Sequence, residues 1–168
     1  MYGTKEIQGV KYPLQHLNPF TMTVAPQNPG APSYRVHVRF GSHTFSREWL
    51  AADPIEHQVD YNGDIRCFCT TRHGLSAHLP AMIRASANGK VHFSLKDNYL
   101  VLQNVPGCIG PYVAFFSLKP SNSNKYDAFL FVQSAHERTA FPKAPPSISM
   151  ATLVSKVVRG LPIVKPKK

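Results

Sequence analysis

Apolar and polar residues alternate through Tyr34–Phe40, where Tyr34, Val36, Val38 and Phe40 interleave with Arg35, His37 and Arg39. A period of two predicts a strand with an apolar face turned inward and a basic face turned outward. Four further apolar segments come late in the chain: KVHFSLK, NYLVLQNV, YVAFFSLK and YDAFLFVQ. Asp97-Asn98, PGCIG and PSNSN separate them, which predicts an antiparallel meander over about residues 91–134. The unbroken runs VAFF and FLFV predict central strands covered on both faces. HQVDY and DIRCFC flank Asn62-Gly63, a strong hairpin turn.

Helical spacing is confined to short stretches. Ser76 is the expected cap of AHLPAMIRASA, with Pro80 in the first turn, Leu79, Met82 and Ile83 as the buried stripe, and Asn88-Gly89 as a left-handed stop. Ser149 caps MATLVSKVVRG in the same way, and Gly160 and Pro162 end it. SREWLAAD reads as one helical turn with Ser46 at its cap and Asp53-Pro54 at its end. The expected fold class is α+β: an antiparallel sheet of about four to six strands with a packed helix.

Composition adds the ends. Ten of the 15 prolines lie before Tyr34 or after Arg138. Residues 1–33 therefore read as a proline-rich arm, 34–138 as the compact domain, and 139–168 as a proline-rich linker, short helix and basic tail. Proline-rich arms become ordered against partners.

Charge narrows the partner. Nineteen Lys and Arg stand against nine Asp and Glu, a net charge of +10, and no acid follows Glu137. A field of that sign draws polyanions, RNA or DNA before others, with an acidic or inhibitory protein as the alternative partner. Candidate contacts are Arg35, Arg39, Lys125, Arg138, Lys165, Lys167 and Lys168. Tyr34, Tyr61, Tyr99 and Tyr126 lie near strand ends, where exposed rings stack on bases.

Three cysteines make no disulfide framework, and no apolar run approaches the roughly 18 residues of a membrane span. The amino terminus carries no signal-peptide pattern, so a soluble cytoplasmic protein is expected. Cys67-x-Cys69 is too closely spaced for an ordinary zinc pair and reads as structural, so no metal is expected. G-x-x-x-x-G-K-S/T, G-x-G-x-x-G and G-x-S-x-G are absent, which argues against ATP, dinucleotide and serine-hydrolase chemistry. No cofactor is expected.

Reactive residues fall at strand ends: His43 after YRVHVRF, Arg66 and Arg72 in and after DIRCFC, Ser134 and His136 in FVQSAHER. Cleaving RNA without a metal needs a base for the 2′-hydroxyl, an acid for the leaving oxygen, and cations for the charge on phosphorus. Histidine serves the first two roles and arginine the third. In a regular strand Ser134 and His136 share one face, opposite Gln133 and Ala135. The same residues equally serve a binder that cuts nothing, and no motif decides between the two.

An early helical region, a compact antiparallel sheet and a last strand closing in FVQSAHER resemble the RelE/barnase/EndoU/colicin-type ribonuclease toxins over about residues 34–138. His136 stands where those toxins place an aromatic. The resemblance implies metal-independent RNA cleavage on a sheet face. The competing expectation is a non-enzymatic module that holds nucleic acid, arrests growth by engaging replication or translation machinery, or serves within a larger assembly.

Overall fold

The computed structural model describes residues 1–26, 28, 30–94, 98–139 and 145–165. The chain opens with a hairpin, β1 (Thr4–Ile7) and β2 (Val10–Pro13), then a 3-10 turn at Gln15–Leu17 and β3 (Phe20–Val24). The alternating segment forms β4 (Tyr34–His43), followed by β5 (Ser46–Glu48), β6 (Gln58–Tyr61) and β7 (Asp64–Phe68). Helices α1 (Thr70–Ser76) and α2 (Leu79–Ser86) lead into β8 (Lys90–Phe93), β9 (Tyr99–Gln103), β10 (Tyr112–Pro120) and β11 (Ala128–Glu137). A short β12 (Ser147–Ser149) and α3 (Met150–Val158) close the fold.

The fold is α+β, and its main sheet has seven strands in the order β12-β8-β9-β10-β11-β4-β3. The meander β8 to β11 is antiparallel throughout, as the turn chemistry predicts. β4 adds to β11 in parallel, and β3 then pairs antiparallel with β4. The four to six strands expected undercount this sheet, because its two edges come from segments read as arm and linker.

The amino-terminal arm reading is corrected by packing. Ile7, Leu14, Leu17, Met22 and Val24 are buried in the common core. Pro13 ends β2 and Pro19 precedes β3, so these prolines punctuate strands rather than prevent them. His16 Nε2 lies 2.7 Å from the Ser76 hydroxyl, and His73 Nε2 lies 2.9 Å from the Pro13 carbonyl, which fastens the segment to α1.

Ser76 is accordingly no cap: it is buried, donates to the His73 carbonyl, and is the last residue of α1. Leu79, Met82 and Ile83 are the buried stripe of α2, as expected. Asn88 and Gly89 do not take the left-handed conformation; α2 ends instead on the Gly89 N–H to the Ser86 carbonyl. Ser46 starts a strand, not a helical turn, because β5 pairs with β7. Asn62 and Gly63 do supply φ values of 59° and 82° for the β6–β7 hairpin. Ser149 caps α3, accepting from the Thr152 N–H at 3.1 Å. In the expected 139–168 linker, helix and tail, residues 140–144 and 166–168 lie outside the described residues, as does the Asp97 turn position, while Ser147 and Ile148 pair with β8.

Helices α2 and α3 pack on the sheet face that carries Val38, Leu130 and Val132. The Tyr112 ring is fully buried at the start of β10, and its hydroxyl meets no hydrogen-bond partner among the described residues. Burial raises the Tyr112 phenol pKa. Tyr112→Phe should therefore hold or raise the urea midpoint, since an unpaired buried hydroxyl costs roughly 1–3 kcal/mol. A loss of about 1 kcal/mol or more would mean that the hydroxyl is bonded.

Candidate active site and nucleic-acid interface

The opposite sheet face is built by two phases of alternation separated by a bulge. Along β11, Phe129 and Phe131 turn outward while Leu130 and Val132 are buried. Pairing with β10 then jumps from Phe116↔Val132 to Phe115↔Ser134, which leaves Gln133 as the extra residue. After the bulge Ser134 and His136 face outward and Ala135 is buried. Gln133 lines the same cleft as Ser134 and His136, so the opposition expected from strict alternation does not hold.

The parallel pairing brings β4 alongside in register: Phe129↔His37, Phe131↔Arg39 and Ser134↔His43. Residues 43, 134 and 136 thus become neighbours. Gly41 makes the floor possible, since a Cβ there would lie 2.9 Å from Phe131 Cζ and 3.1 Å from the Gln133 carbonyl. A side chain at position 41 would push the Phe131 ring away from β4.

A cleft of about 1320 Å³ opens over this floor. The β6–β7 turn with Tyr61 and Asp64 walls one side, and Phe93, Pro146 and Lys165 wall the other. His43, Ser134, His136, Arg39, Arg138 and Lys165 all line it. Six of the predicted site residues therefore converge.

His43 Nε2 lies 2.9 Å from Asp64 Oδ2, an ion pair whenever the ring is protonated. Nδ1 is then the nitrogen left for proton transfer. His136 stacks on Phe115 at 5.4 Å, and its Nε2 accepts from Arg138 Nε at 3.2 Å. Burial, then the charges of Arg138 and Arg72, lower its pKa below the ordinary histidine value, which favours the neutral ring. Glu137, the one acid in β3, β4, β10 and β11, turns to the Gly110 N–H at 2.9 Å and to that of Ile109.

Arg66 and Arg72 sit behind the cleft. Arg66 Nε donates to Ser46 Oγ at 2.8 Å, and its Nη1 lies 3.9 Å from Asp64. Arg72 Nη1 donates to the Ser46 carbonyl at 2.7 Å and to the His43 carbonyl at 3.4 Å. Arg72 holds the backbone around His43 and Arg66 holds the side chains of Ser46 and Asp64, where the sequence predicts phosphate contacts. Arg35 is tied at the start of β4, with its N–H to Asp127 at 2.6 Å and its Nη2 to the Asn124 carbonyl at 3.0 Å. Lys125 is exposed in the same β10–β11 loop.

Of the predicted stacking rings, Tyr99 packs on Phe93 and Phe116, and Tyr34 is buried near Ser155. Tyr61 lines the cleft and Tyr126 reaches the open face against His37. Lys165 donates to the Ser94 carbonyl at 2.8 Å; Lys167 and Lys168 lie outside the described residues. Cys67, Cys69 and Cys108 are free thiols. Among the described residues no group of three or more His, Cys, Asp or Glu is placed to hold a metal ion, and no helix is long and apolar enough to cross a membrane.

Two features were missed from sequence. Asp64 is 21 residues from His43, and no spacing rule joins them. The runs VAFF and FLFV predict a doubly covered sheet for Phe115, Phe129 and Phe131, yet each is half-buried on the open face. The alternation of Phe129 and Phe131 with Leu130 and Val132 was the available signal.

Comparison with protein families matches residues 4–158 to the YjaZ family. The chain belongs to the YjaZ family. The match runs from the first residue of β1 to the last residue of α3, and so takes in the amino-terminal hairpin as well as the sheet. No curated protein and no solved structure matches the chain.

Proposed function

We propose that this protein binds single-stranded RNA in the cleft and cleaves it without a metal ion. The observation that carries the reading is the convergence of His43 and His136 on one floor, with Ser134 between them. The two histidines stand one strand across and two residues along, about 8 Å between Cα atoms from strand spacing and rise. That separation leaves room for a phosphate. Once Arg138 turns from His136 to the phosphate, His136, favoured neutral, takes the proton of the ribose 2′-hydroxyl on Nε2, and the 2′-oxygen attacks phosphorus. The imidazolium form of His43, held by Asp64, gives its proton to the departing 5′-oxygen. Arg138, beside His136, offsets the charge that builds on the phosphoryl oxygens, while the Ser134 hydroxyl donates to one of them. The products are a 2′,3′-cyclic phosphate and a free 5′-hydroxyl. The resemblance of the last strand to the ribonuclease toxins points the same way, and unpaired thiols suit a cytoplasmic setting.

A second reading keeps the RNA and drops the chemistry. It is favoured by Arg66 and Arg72, whose guanidiniums are spent on protein acceptors, and by Arg138, which occupies His136 Nε2. Both readings require salt-dependent binding. With Arg39, Arg138 and Lys165 as the cleft cations, log affinity for a labelled single-stranded RNA should fall with log salt at a slope of about −2. Fluorescence anisotropy measures this. Absence of binding at low salt, or a flat response, would contradict both.

A further inference from the structure

The open face does not stop at the cleft. Successive tiers cross the sheet: Thr21, His37, Phe129 and Lys119 in one, Arg39, Phe131 and Ser117 in the next. Down the middle runs a column of flat rings. Phe131 and Phe129 lie 6.4 Å apart with planes only 9° from parallel. His37 stacks on Phe129 at 6.1 Å and on Tyr126 at 4.7 Å. Burial and then Arg39 lower the His37 pKa, which favours the uncharged, stackable form.

Cations flank the column on both sides. The Arg39 guanidinium lies 6.0 Å from the Phe129 centroid, and Lys119 is the partner of Phe129 on β10. Rings half-buried in a row, with exposed Arg and Lys beside them, present π-faces to bases and charge to the backbone between bases. A protein partner of acidic character would be met by the cations but has no need of an aromatic row. A duplex keeps its base faces covered and cannot use the rings.

We propose that the Phe131–Phe129–His37–Tyr126 column, between Arg39 and Lys119, seats unpaired nucleobases of the strand whose phosphate occupies the cleft. This rests on the RNA-cleft reading and extends it: the ligand is single-stranded, occupies at least two bases beyond the cleft, and is chosen by strandedness more than by sequence. Phe131 belongs to both regions, which makes the path continuous.

The test uses full-length protein with EDTA and fluorescent, uncleavable 2′-O-methyl uridine probes: a dinucleotide, an octamer, and an octamer duplex with 2′-O-methyl adenosine. Wild type should prefer the single-stranded octamer to the dinucleotide and to the duplex. Phe129→Ala should weaken octamer binding about 10-fold or more and leave the dinucleotide nearly unchanged. Phe129→Tyr should restore the octamer, and thermal melts should show all variants folded, because Phe129 lies on the open face. Wild-type and Phe129→Ala proteins binding the octamer equally would overturn the column while leaving the cleft reading intact. Binding of no probe by wild type would overturn both.

Discussion

Removing residues 1–24 should abolish cooperative folding. The segment contributes β3, paired with β4 from Phe20↔Val38 to Val24↔Tyr34, and five buried side chains: Ile7, Leu14, Leu17, Met22 and Val24. Burying such a side chain is worth about 1.5–3 kcal/mol, so together they contribute roughly 8–15 kcal/mol. That is the whole stability of a typical domain, about 5–15 kcal/mol. Tyr2 adds to the loss: its hydroxyl donates to the Phe40 carbonyl at 2.7 Å, and its ring packs edge-on against Phe45 and Tyr61. Deletion would also leave the long edge of β4 unpaired and open to aggregation. Circular dichroism of the 25–168 fragment should show no sharp thermal transition. A cooperative melt near that of the full chain would restore the extended-arm reading.

The contrast between arm and strand shows what the sequence could and could not reveal. Elements defined by local chemistry were legible: the Asn62-Gly63 hairpin, the meander from β8 to β11, the Ser149 cap and the α2 stripe. Each depends on residues a few positions apart. The parallel β4–β11 pairing was not legible, because it joins Val36 to Ala128 across most of the chain. The placement of β3 beside β4 suffered likewise, with prolines near its ends masking a five-residue strand.

The site divides along the same line. His43, Ser134 and His136 could be singled out as polar residues at strand ends, and they meet in the cleft. The roles of Arg66 and Arg72 could not be read, because their acceptors, the Ser46 hydroxyl and carbonyl, come from a segment expected to be helical. The bulge at Gln133 has no sequence signature of its own; it is visible only in the pairing of β11 with its two neighbours.

His136→Ala and His43→Ala should each slow RNA cleavage by about 10²–10⁴-fold, the usual contribution of a general base or acid. Both side chains are on the open face, so the variants should melt near wild type. The pH profile separates the two roles. His136 has a folded pKa below its ordinary 6.5, so it stays neutral down to a more acidic pH than an unperturbed histidine. Base catalysis is then fully present at neutral pH and lost as pH falls below about 6.5 through that lowered value. His136→Ala should remove this acid limb, whereas His43→Ala should lower the rate and leave the limb in place. Ser134→Ala should cost less than either histidine, since it removes a hydrogen bond to a phosphoryl oxygen and moves no proton.

The most direct measurement is the cleavage of an end-labelled single-stranded RNA by the purified full-length protein in EDTA, with the product termini identified by mass spectrometry. Fragments ending in 2′,3′-cyclic phosphate, formed by wild type and reduced at least 100-fold in His136→Ala, are the result expected of a metal-independent ribonuclease. Intact RNA, or equal background cleavage by wild type and His136→Ala, would contradict the ribonuclease and favour the reading in which the protein cuts nothing.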